Sequence, residues 1–195
     1  MDKKIAVMID GGHLRVLSSK LAGRNYNPDF IERFALACRA AQEEIVRILY
    51  YDCAPYNGTQ KLPVSGEAKT FSSSGAWLQE LAERPLFAVR IGQLKFRGFA
   101  LDSVPTPPDP LSDANFKPVF QQKGVDMRIG LDIATYSAAS RIDRIALVAG
   151  DTDLVPAMKH ARRAGIQVVL VQVAAYRVAP ELKRHADFVR SVPLP

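Results

Sequence analysis

Two apolar stretches of the chain each end in acidic residues. Residues 145–149 form a continuous apolar run, and Gly150-Asp151-Thr152-Asp153 follows it directly. Near the N-terminus, residues 5–9 form a similar run that ends in Asp10 and two glycines. Continuous apolar runs of this length are typical of strands that are covered on both faces. Carboxylates at the carboxyl ends of parallel strands are where an α/β protein would hold a hard metal ion. The two stretches therefore predict one acidic site, provided that their ends meet.

The rest of the chain predicts the sheet in which these ends could meet. Further strand-like runs alternate with helical patterns, at residues 45–51, 87–94, 168–173 and 188–192. Such alternation predicts βαβ units, and hence one α/β domain over residues 1–195, a three-layer sandwich with a mainly parallel central sheet. Ligands of these sheets bind beyond the carboxyl ends of the strands, where the strand order reverses. Asp10 and Asp151 would meet there if the first and fourth strands are neighbours.

Two segments depart from this alternation. Residues 53–66 contain turn signals and are predicted to be a loop, which is followed by a helix at 68–83. The segment at about 99–118 is predicted to be an irregular excursion because it is rich in proline: Pro105, Pro107, Pro108, Pro110 and Pro118. Irregular loops of this length in a compact domain are usually functional or mobile. A solvated surface loop without a role explains the pattern equally well.

Charge and cysteine content narrow the class of partner. The chain has 26 Lys and Arg against 20 Asp and Glu, with a net charge of +6 and a pI near 9.4, which favours polyanionic partners. No apolar run approaches the roughly 18 residues of a membrane span, and the N-terminus lacks the apolar core of an export signal. Cys38 and Cys53 stand in no metal-ligand spacing, so we expect buried thiols in a cytoplasmic protein.

Three motifs in a fixed order carry a resemblance to a known family. The first is Ile9-Asp10-Gly11, and the second is Lys123-Gly124-Val125-Asp126 with Asp132 six residues further on. The third is Val148-Ala149-Gly150-Asp151-Thr152-Asp153-Leu154-Val155-Pro156, which continues through residues 161–166 into the fifth strand. With these motifs the chain resembles the NYN domains, a branch of the PIN-like ribonucleases. The resemblance spans most of the chain, although residues 54–84 add little to it.

The resemblance implies a PIN-like sheet, a pocket of acids that binds Mg²⁺ or Mn²⁺, and single-stranded RNA as substrate. By position, the residues implied to bind the metal and carry catalysis are Asp10, Asp126, Asp151 and Asp153. Asp132 is a fifth candidate ligand of the metal. Because six residues along a helix rotate a side chain by about 240°, Asp132 does not share a face with Asp126. It would act behind the pocket or pair with a basic residue.

The chain departs from the family pattern at one position. The family usually has an asparagine two residues past the glycine of the first motif, where this chain has His13. Histidine can still donate a hydrogen bond to a phosphate or position a water molecule. The substrate contacts predicted from the motifs are His13, Lys123, Thr152, Arg162 and Arg163. Further candidates for contacts with the RNA backbone are Lys159, Lys183 and Arg184.

The sequence therefore predicts a metal-dependent ribonuclease that hydrolyses phosphodiester bonds with water as the nucleophile. The alternative is a non-catalytic module that binds RNA or protein on the same scaffold, and His13 in place of asparagine favours it. The acids also have a structural interpretation, since Asp151 and Asp153 are both good helix N-cap residues. A phosphatase would need a second acid where Gly12 stands, and a dinucleotide-binding turn would need more glycines. A homodimer is compatible with either function.

Overall fold

Strands and helices alternate along most of the chain. The computed structural model describes residues 2–22, 26–102, 110–139 and 141–195. Its strands are β1 (Lys3–Asp10), β2 (Glu43–Cys53), β3 (Gly58–Lys61), β4 (Ala68–Phe71), β5 (Phe87–Leu101), β6 (Phe116–Lys123), β7 (Arg144–Val148), β8 (Gln167–Val173) and β9 (Phe188–Val192). Its helices are α1 (Gly11–Ala22), α2 (Pro28–Ala37), α3 (Ala76–Ala82), α4 (Val125–Ala139), α5 (Val155–Arg163) and α6 (Pro180–Arg184). Short 3₁₀ turns lie at Asp113–Asn115 and Thr152–Leu154. Within the described ranges, no helix combines the length and apolar character that crossing a membrane requires.

A central sheet of seven strands has the order β6-β5-β2-β1-β7-β8-β9. All neighbouring strands in it run parallel except β5 and β6. Starting from β1, the chain first adds strands on the side of β2 and later adds strands on the side of β7. The strand order therefore reverses between β1 and β7, where Ile9 pairs with Val148. The first and fourth strands of the predicted parallel sheet are thus neighbours, which is the condition for a shared acidic site.

The two faces of β1 belong to two separate cores. Ile5, Val7 and Ile9 pack on the side of α1, α2 and α3, whereas Ala6 and Met8 pack on the side of α4, α5 and α6. All five side chains are 0% exposed. Each buried side chain of the size of Ile or Val contributes about 1.5–3 kcal/mol relative to an exposed one. The three-layer α/β sandwich predicted from the sequence is therefore confirmed.

Antiparallel pairs extend the β5 side of the sheet, and the sequence did not predict them. The pair β3–β4 forms a separate two-stranded sheet, and the distal half of β5 pairs with β6. We call β3, β4, β6 and residues 93–101 of β5 the antiparallel arm. The helix predicted at 68–83 is wrong over its first residues, because β4 occupies 68–71 and α3 begins only at Ala76.

The predicted excursion at 99–118 is shorter than expected. Residues 99–101 belong to β5 and 116–118 to β6, with Phe99 opposite Pro118, while residues 103–109 lie outside the described chain. Proline is tolerated here because β6 is the edge strand of the sheet. Cross-strand partners stabilise such strands, and a local sequence pattern does not reveal those partners.

A buried carboxylate joins three strands near the edge where the parallel strands begin. The Glu43 side chain is 0% exposed and accepts hydrogen bonds from Arg190 at 2.7 and 2.8 Å and from Arg144 at 2.8 Å. The Ala40 N–H donates to the same carboxylate at 2.7 Å. Burial alone would raise the pKa of Glu43, but the bonds from Arg190, Ala40 and Arg144 outweigh it and lower the pKa to about 2. The ionised form is therefore the one that stabilises the fold.

We expect Glu43→Gln to lower the free energy of unfolding by about 3 kcal/mol at pH 7, because it leaves two arginines without their carboxylate. Since the pKa of Glu43 is depressed in the folded protein, its stabilisation is complete above about pH 4.5 and is lost as the pH falls toward 2. Urea unfolding at pH 7 and at pH 3 measures both effects. The exposed neighbour Glu44, changed to Gln, is the matched control. An equal loss in both variants would contradict the role of Glu43.

Candidate active site

Asp10 lies at the carboxyl end of β1 and is only 9% exposed. Helix α1 begins with the next residue, so that the His13 N–H donates to Asp10 Oδ1 at 3.1 Å. The pKa of Asp10 is raised to about 6, first by burial and then by the charges of Asp126 and Asp52, although hydrogen bonds from the N–H groups of His13 and Gly12 oppose the rise. At neutral pH the carboxylate is therefore ionised, although its burial disfavours the ionised form.

The other three predicted acids are linked to Asp10 by electrostatic interactions, since Asp126 acts on Asp10, and Asp151 and Asp153 act on Asp126. Asp126 is half-buried in the first turn of α4. Burial raises the pKa of Asp126, and the charges of Asp151 and Asp153 raise it further. Asp151 also caps the 3₁₀ turn that follows β7, since its side chain accepts the Asp153 N–H at 2.9 Å. The capping interpretation of Asp151 is therefore correct, and it is compatible with a place in the acidic cluster.

An open cleft of about 940 Å³ lies over the boundary between β1 and β7. Four of the residues predicted from the motifs line it, namely Asp10, His13, Asp151 and Thr152. Four residues outside the motifs line it as well: Arg15, Gln122, Tyr176 and Arg177. We call this space the acidic cleft. It lies where the strand order reverses, which is the place that α/β sheets use for ligands.

The acids fit a hard divalent cation in chemistry, but they do not form a closed cage. Among residues 2–22, 26–102, 110–139 and 141–195, no three Asp, Glu, His or Cys side chains lie close enough to hold a metal ion together. The donor set consists of carboxylate oxygens, which Mg²⁺ and Mn²⁺ prefer, and Mg²⁺ usually keeps several waters beside one or two carboxylates. Burial raises the pKa values of Asp10 and Asp126, and the charges of neighbouring acids raise them further, so a bound cation would favour the ionised forms of both.

His13 is packed between the ends of β1 and β7. A Cβ atom added at Gly150 would lie 2.5 Å from His13 Cε1, so the ring occupies the space of a missing side chain. The ring also meets Tyr176 edge-on, with 6.2 Å between centroids. Burial lowers the pKa of His13, which keeps the imidazole neutral at pH 7. Its Nε2 is buried and has no hydrogen-bond partner in the described part of the chain.

Close packing explains the two glycines after Asp10, and the sequence did not reveal this packing. Neither Gly11 nor Gly12 has a positive φ, so a left-handed backbone conformation does not account for them. A side chain at Gly11 would overlap the Tyr50 hydroxyl, and a Cβ at Gly12 would lie 2.5 Å from Gln122 Oε1. The glycines therefore let β2 and β6 approach the start of α1 closely.

Asp52 is a further acid near the cleft, and it belongs to none of the three motifs. It is 0% exposed and forms an ion pair with Arg15. Its carboxylate also accepts hydrogen bonds from Tyr50 at 3.0 Å and Gln122 at 3.2 Å. The available signal was the one that identified Asp10, since Asp52 also stands at the end of an apolar strand next to β1. Unlike Asp10, Asp52 has a cationic partner, so it serves to hold Arg15 at the cleft.

Several predicted residues lie outside the cleft. Asp132 accepts hydrogen bonds from Tyr51 at 3.0 Å and Arg90 at 3.1 Å, which is the pairing with a basic residue that its helical position allowed. Arg162 pairs with Asp187 at 2.9 Å, near the edge where the parallel strands begin. The contacts with RNA that the motifs predict for Arg162 and Arg163 stay predictions.

The other basic candidates are placed as follows. Arg163 and Lys159 line the same shallow surface as Arg162, and Lys183 and Arg184 are exposed on α6. Lys123 is exposed one residue beyond Gln122, which does line the acidic cleft. Among the predicted basic residues, Lys123 therefore follows a residue of the cleft in the sequence. Arg162 and Arg163 lie elsewhere, beside the start of β8.

The mainly parallel sheet, with its acids at the reversal of strand order, defines a PIN-like α/β domain. The model of the NYN domain family matches residues 4–192, and the chain belongs to this family of PIN-like ribonuclease domains. Among solved structures, a protein of unknown function from Vibrio parahaemolyticus is similar, with a TM-score of 0.57 and 18% identity over 97% of this chain and 93% of that chain. This likeness shows the shared fold. A comparison with curated proteins finds no match.

We expect Asp10→Asn to raise the free energy of unfolding by about 2 kcal/mol at pH 7.5 in EDTA. The pKa of Asp10 is raised to about 6 in the folded protein, so its ionisation destabilises the fold as the pH rises from about 4 through 6. The gain should therefore shrink toward pH 4, where the wild-type carboxyl is protonated. Urea unfolding at both pH values measures it.

Asp52→Asn provides the contrasting variant, because it removes the partner of Arg15 from a fully buried position. We expect it to lower stability at pH 7.5. A gain in stability for Asp52→Asn, or a loss for Asp10→Asn, would contradict the environments assigned to these two acids.

Proposed function

We propose that this NYN domain is a ribonuclease that hydrolyses RNA phosphodiester bonds with Mg²⁺ or Mn²⁺ bound at the acidic cleft. The observation that carries the proposal is the buried Asp10, which has no cationic partner among the described residues and whose pKa is raised by burial and by the charge of Asp126. Carboxylates with pKa values perturbed in this way cluster at functional sites. The family to which the chain belongs favours a nuclease as that use.

Each acid has a place in the proposed site. Asp10 and Asp126 would hold the cation, since these two carboxylates are buried or half-buried and interact electrostatically. Asp151 and Asp153 stand on the exposed side, where they could bind the waters around the cation. When bound, a divalent cation acidifies an attacking water and stabilises the leaving oxygen of a phosphodiester.

Neutral and cationic side chains of the cleft would position the RNA. The neutral His13 ring and the Thr152 hydroxyl line the cleft on its β7 side and can donate hydrogen bonds to a phosphate. Arg15 lines the cleft with a side chain that is 45% exposed, and Asp52 fixes its guanidinium group. A guanidinium group held in this way is well suited to a phosphate oxygen. The net charge of +6 would attract the polyanion as a whole.

The second candidate function is a non-catalytic module that binds RNA on the same surface. Two observations favour it: His13 replaces the usual asparagine, and in the described chain no three acids lie close enough to share a metal ion. This candidate requires the acidic cleft to bind RNA without cutting it. Activity and metal binding therefore have to be measured separately.

We expect a folded sample with Mn²⁺ or Mg²⁺ to cleave labelled single-stranded RNA, and EDTA to stop the reaction. Asp10→Asn and Asp126→Asn should each lower the rate on the order of 100-fold or more, because each removes a carboxylate that holds the cation. Glu44→Gln, on an exposed site at the opposite edge of the sheet, is the control. If varied RNAs stay intact with the metal-loaded wild type, the non-catalytic module is the correct function.

Metal binding can be tested without activity. We expect Mn²⁺ to raise the melting temperature of the wild type, since a ligand that binds only the folded state stabilises it. Asp10→Asn should lose this shift, whereas Asp132→Asn should keep it because Asp132 is engaged by Arg90 and Tyr51. Loss of the shift in Asp132→Asn alone would move the metal site away from Asp10.

A further inference from the structure

A second groove, of about 580 Å³, opens beside the acidic cleft. Tyr56, Phe71 and Phe120 line one side of it, and Tyr26 and Trp77 line the other. We call it the aromatic groove. It shares Arg15, Leu94 and Phe120 with the acidic cleft, so the two spaces adjoin at these residues. A chain that lies in the acidic cleft can therefore extend directly into the aromatic groove.

The first wall of the groove is a cluster of rings on the antiparallel arm and the segment before it. The Tyr56 ring lies 5.4 Å from Phe120 and 6.0 Å from both Phe71 and Phe96, measured between centroids. Gln60 Nε2 donates to the Tyr56 hydroxyl at 2.6 Å, which fixes the ring. All these rings are half-buried. The wall is therefore preorganised and still presents aromatic surface to the groove.

The second wall lies beside the central sheet. Trp77 on α3 meets Tyr26 and Tyr50 edge-on, at 6.4 and 6.1 Å between centroids. The Arg15 guanidinium lies 5.8 Å from the Tyr26 ring centroid and is held by Asp52 at the junction with the acidic cleft. Exposed hydroxyl groups form the rim of the groove: Thr70, Ser72 and Ser73. Aromatic walls, a hydroxyl rim and one cation match the faces and edges of a nucleobase.

The charge around the groove suits a polyanion. Exposed basic residues are spread over the antiparallel arm: Lys61, Lys69, Lys95 and Arg97. Lys69 also lies over the Phe71 ring, 5.6 Å from its centroid. Of the acids in the same region, Asp102 is paired with Lys117 at 2.8 Å, whereas Glu67 and Asp113 keep their negative charge. The four basic residues outnumber these two acids, which favours a phosphate backbone along the groove.

We propose that the aromatic groove binds an unstacked nucleobase of the single-stranded RNA whose phosphodiester lies in the acidic cleft. This inference rests on the proposed function, since RNA in the cleft places the base beside the groove. Arg15 then lies against the phosphate that joins the two sites. Stacking on aromatic rings accepts any base, so the groove sets a preference for single strands rather than for a sequence. A base inside a duplex cannot reach the rings.

The single tryptophan of the chain makes the groove observable. Trp77 is the only Trp in the sequence, so its fluorescence reports on the aromatic groove alone. We expect a single-stranded oligoribonucleotide to change this fluorescence in a saturable way in EDTA, where no cleavage occurs. A strand of the same length with abasic residues, and a blunt duplex, should change it little. Equal effects of the normal and the abasic strand would overturn the proposal, because phosphate contacts alone would then explain the signal.

Variants of the groove test the same point through affinity. Phe71→Leu keeps an apolar side chain but removes a ring, and Ser72→Phe fills the groove from an exposed position. Each should raise the dissociation constant for single-stranded RNA on the order of tenfold, the loss of about one stacked base. Each should also raise KM for cleavage while kcat stays close to the wild-type value. Phe188→Leu, an exposed Phe on β9, is the matched control, and thermal unfolding shows that each variant is folded.

The outcomes separate the groove from the proposed nuclease activity. If RNA is cleaved but Trp77 and both variants show no effect, the groove proposal fails and the nuclease stands. If RNA changes the Trp77 fluorescence and Phe71→Leu weakens binding while no RNA is cut with metal, the groove stands and the nuclease fails. If RNA neither binds nor is cleaved, both fail together.

Discussion

The parallel pairing of β1 with β7 is the contact on which the candidate site depends. Ile9 on β1 and Val148 on β7 are partners in the sheet although 139 residues separate them, from 9 to 148. Residues 5–9 are 0% exposed and are covered by helices on both faces, so this strand cannot shift without opening both cores. The pairing therefore fixes Asp10 opposite the turn that carries Asp151 and Asp153. A site that lies where the strand order reverses is held in place by the strands on both sides of it.

Two neighbouring acids at this end of the sheet show how environment divides their roles. Asp52 is fully buried but has Arg15, Tyr50 and Gln122 as partners. Asp10 accepts hydrogen bonds from two backbone N–H groups but has no cationic partner in the described ranges, and burial raises its pKa to about 6. Among the described residues, a cation thus lies beside Asp52 but none lies beside Asp10. In the proposed site, Asp10 is therefore the carboxylate that would gain most from a bound metal ion.

The antiparallel arm adds a second kind of surface to this acidic centre. The acidic cleft offers carboxylates and a guanidinium group, whereas the aromatic groove offers rings and hydroxyls, and Arg15 belongs to both. In the proposed complex, the phosphate would meet the charged groups of the acidic cleft, and its base would meet the rings of the aromatic groove. The arm is built from half-buried rings that pack on one another, so it keeps its shape without a core of its own.

The sequence by itself determined the parallel sheet, its two-sided burial and the acids at its carboxyl edge. It could do so because apolar strands, caps and the three motifs are local patterns. Only the tertiary structure decided that Asp52 and Arg15 join the cleft, that Asp132 pairs with Arg90, and that Gly11 and Gly12 make room for Tyr50 and Gln122. The tertiary structure also decided that β4 and β6 exist as strands. These features depend on partners distant in the chain, and a distant partner leaves no period in the local sequence.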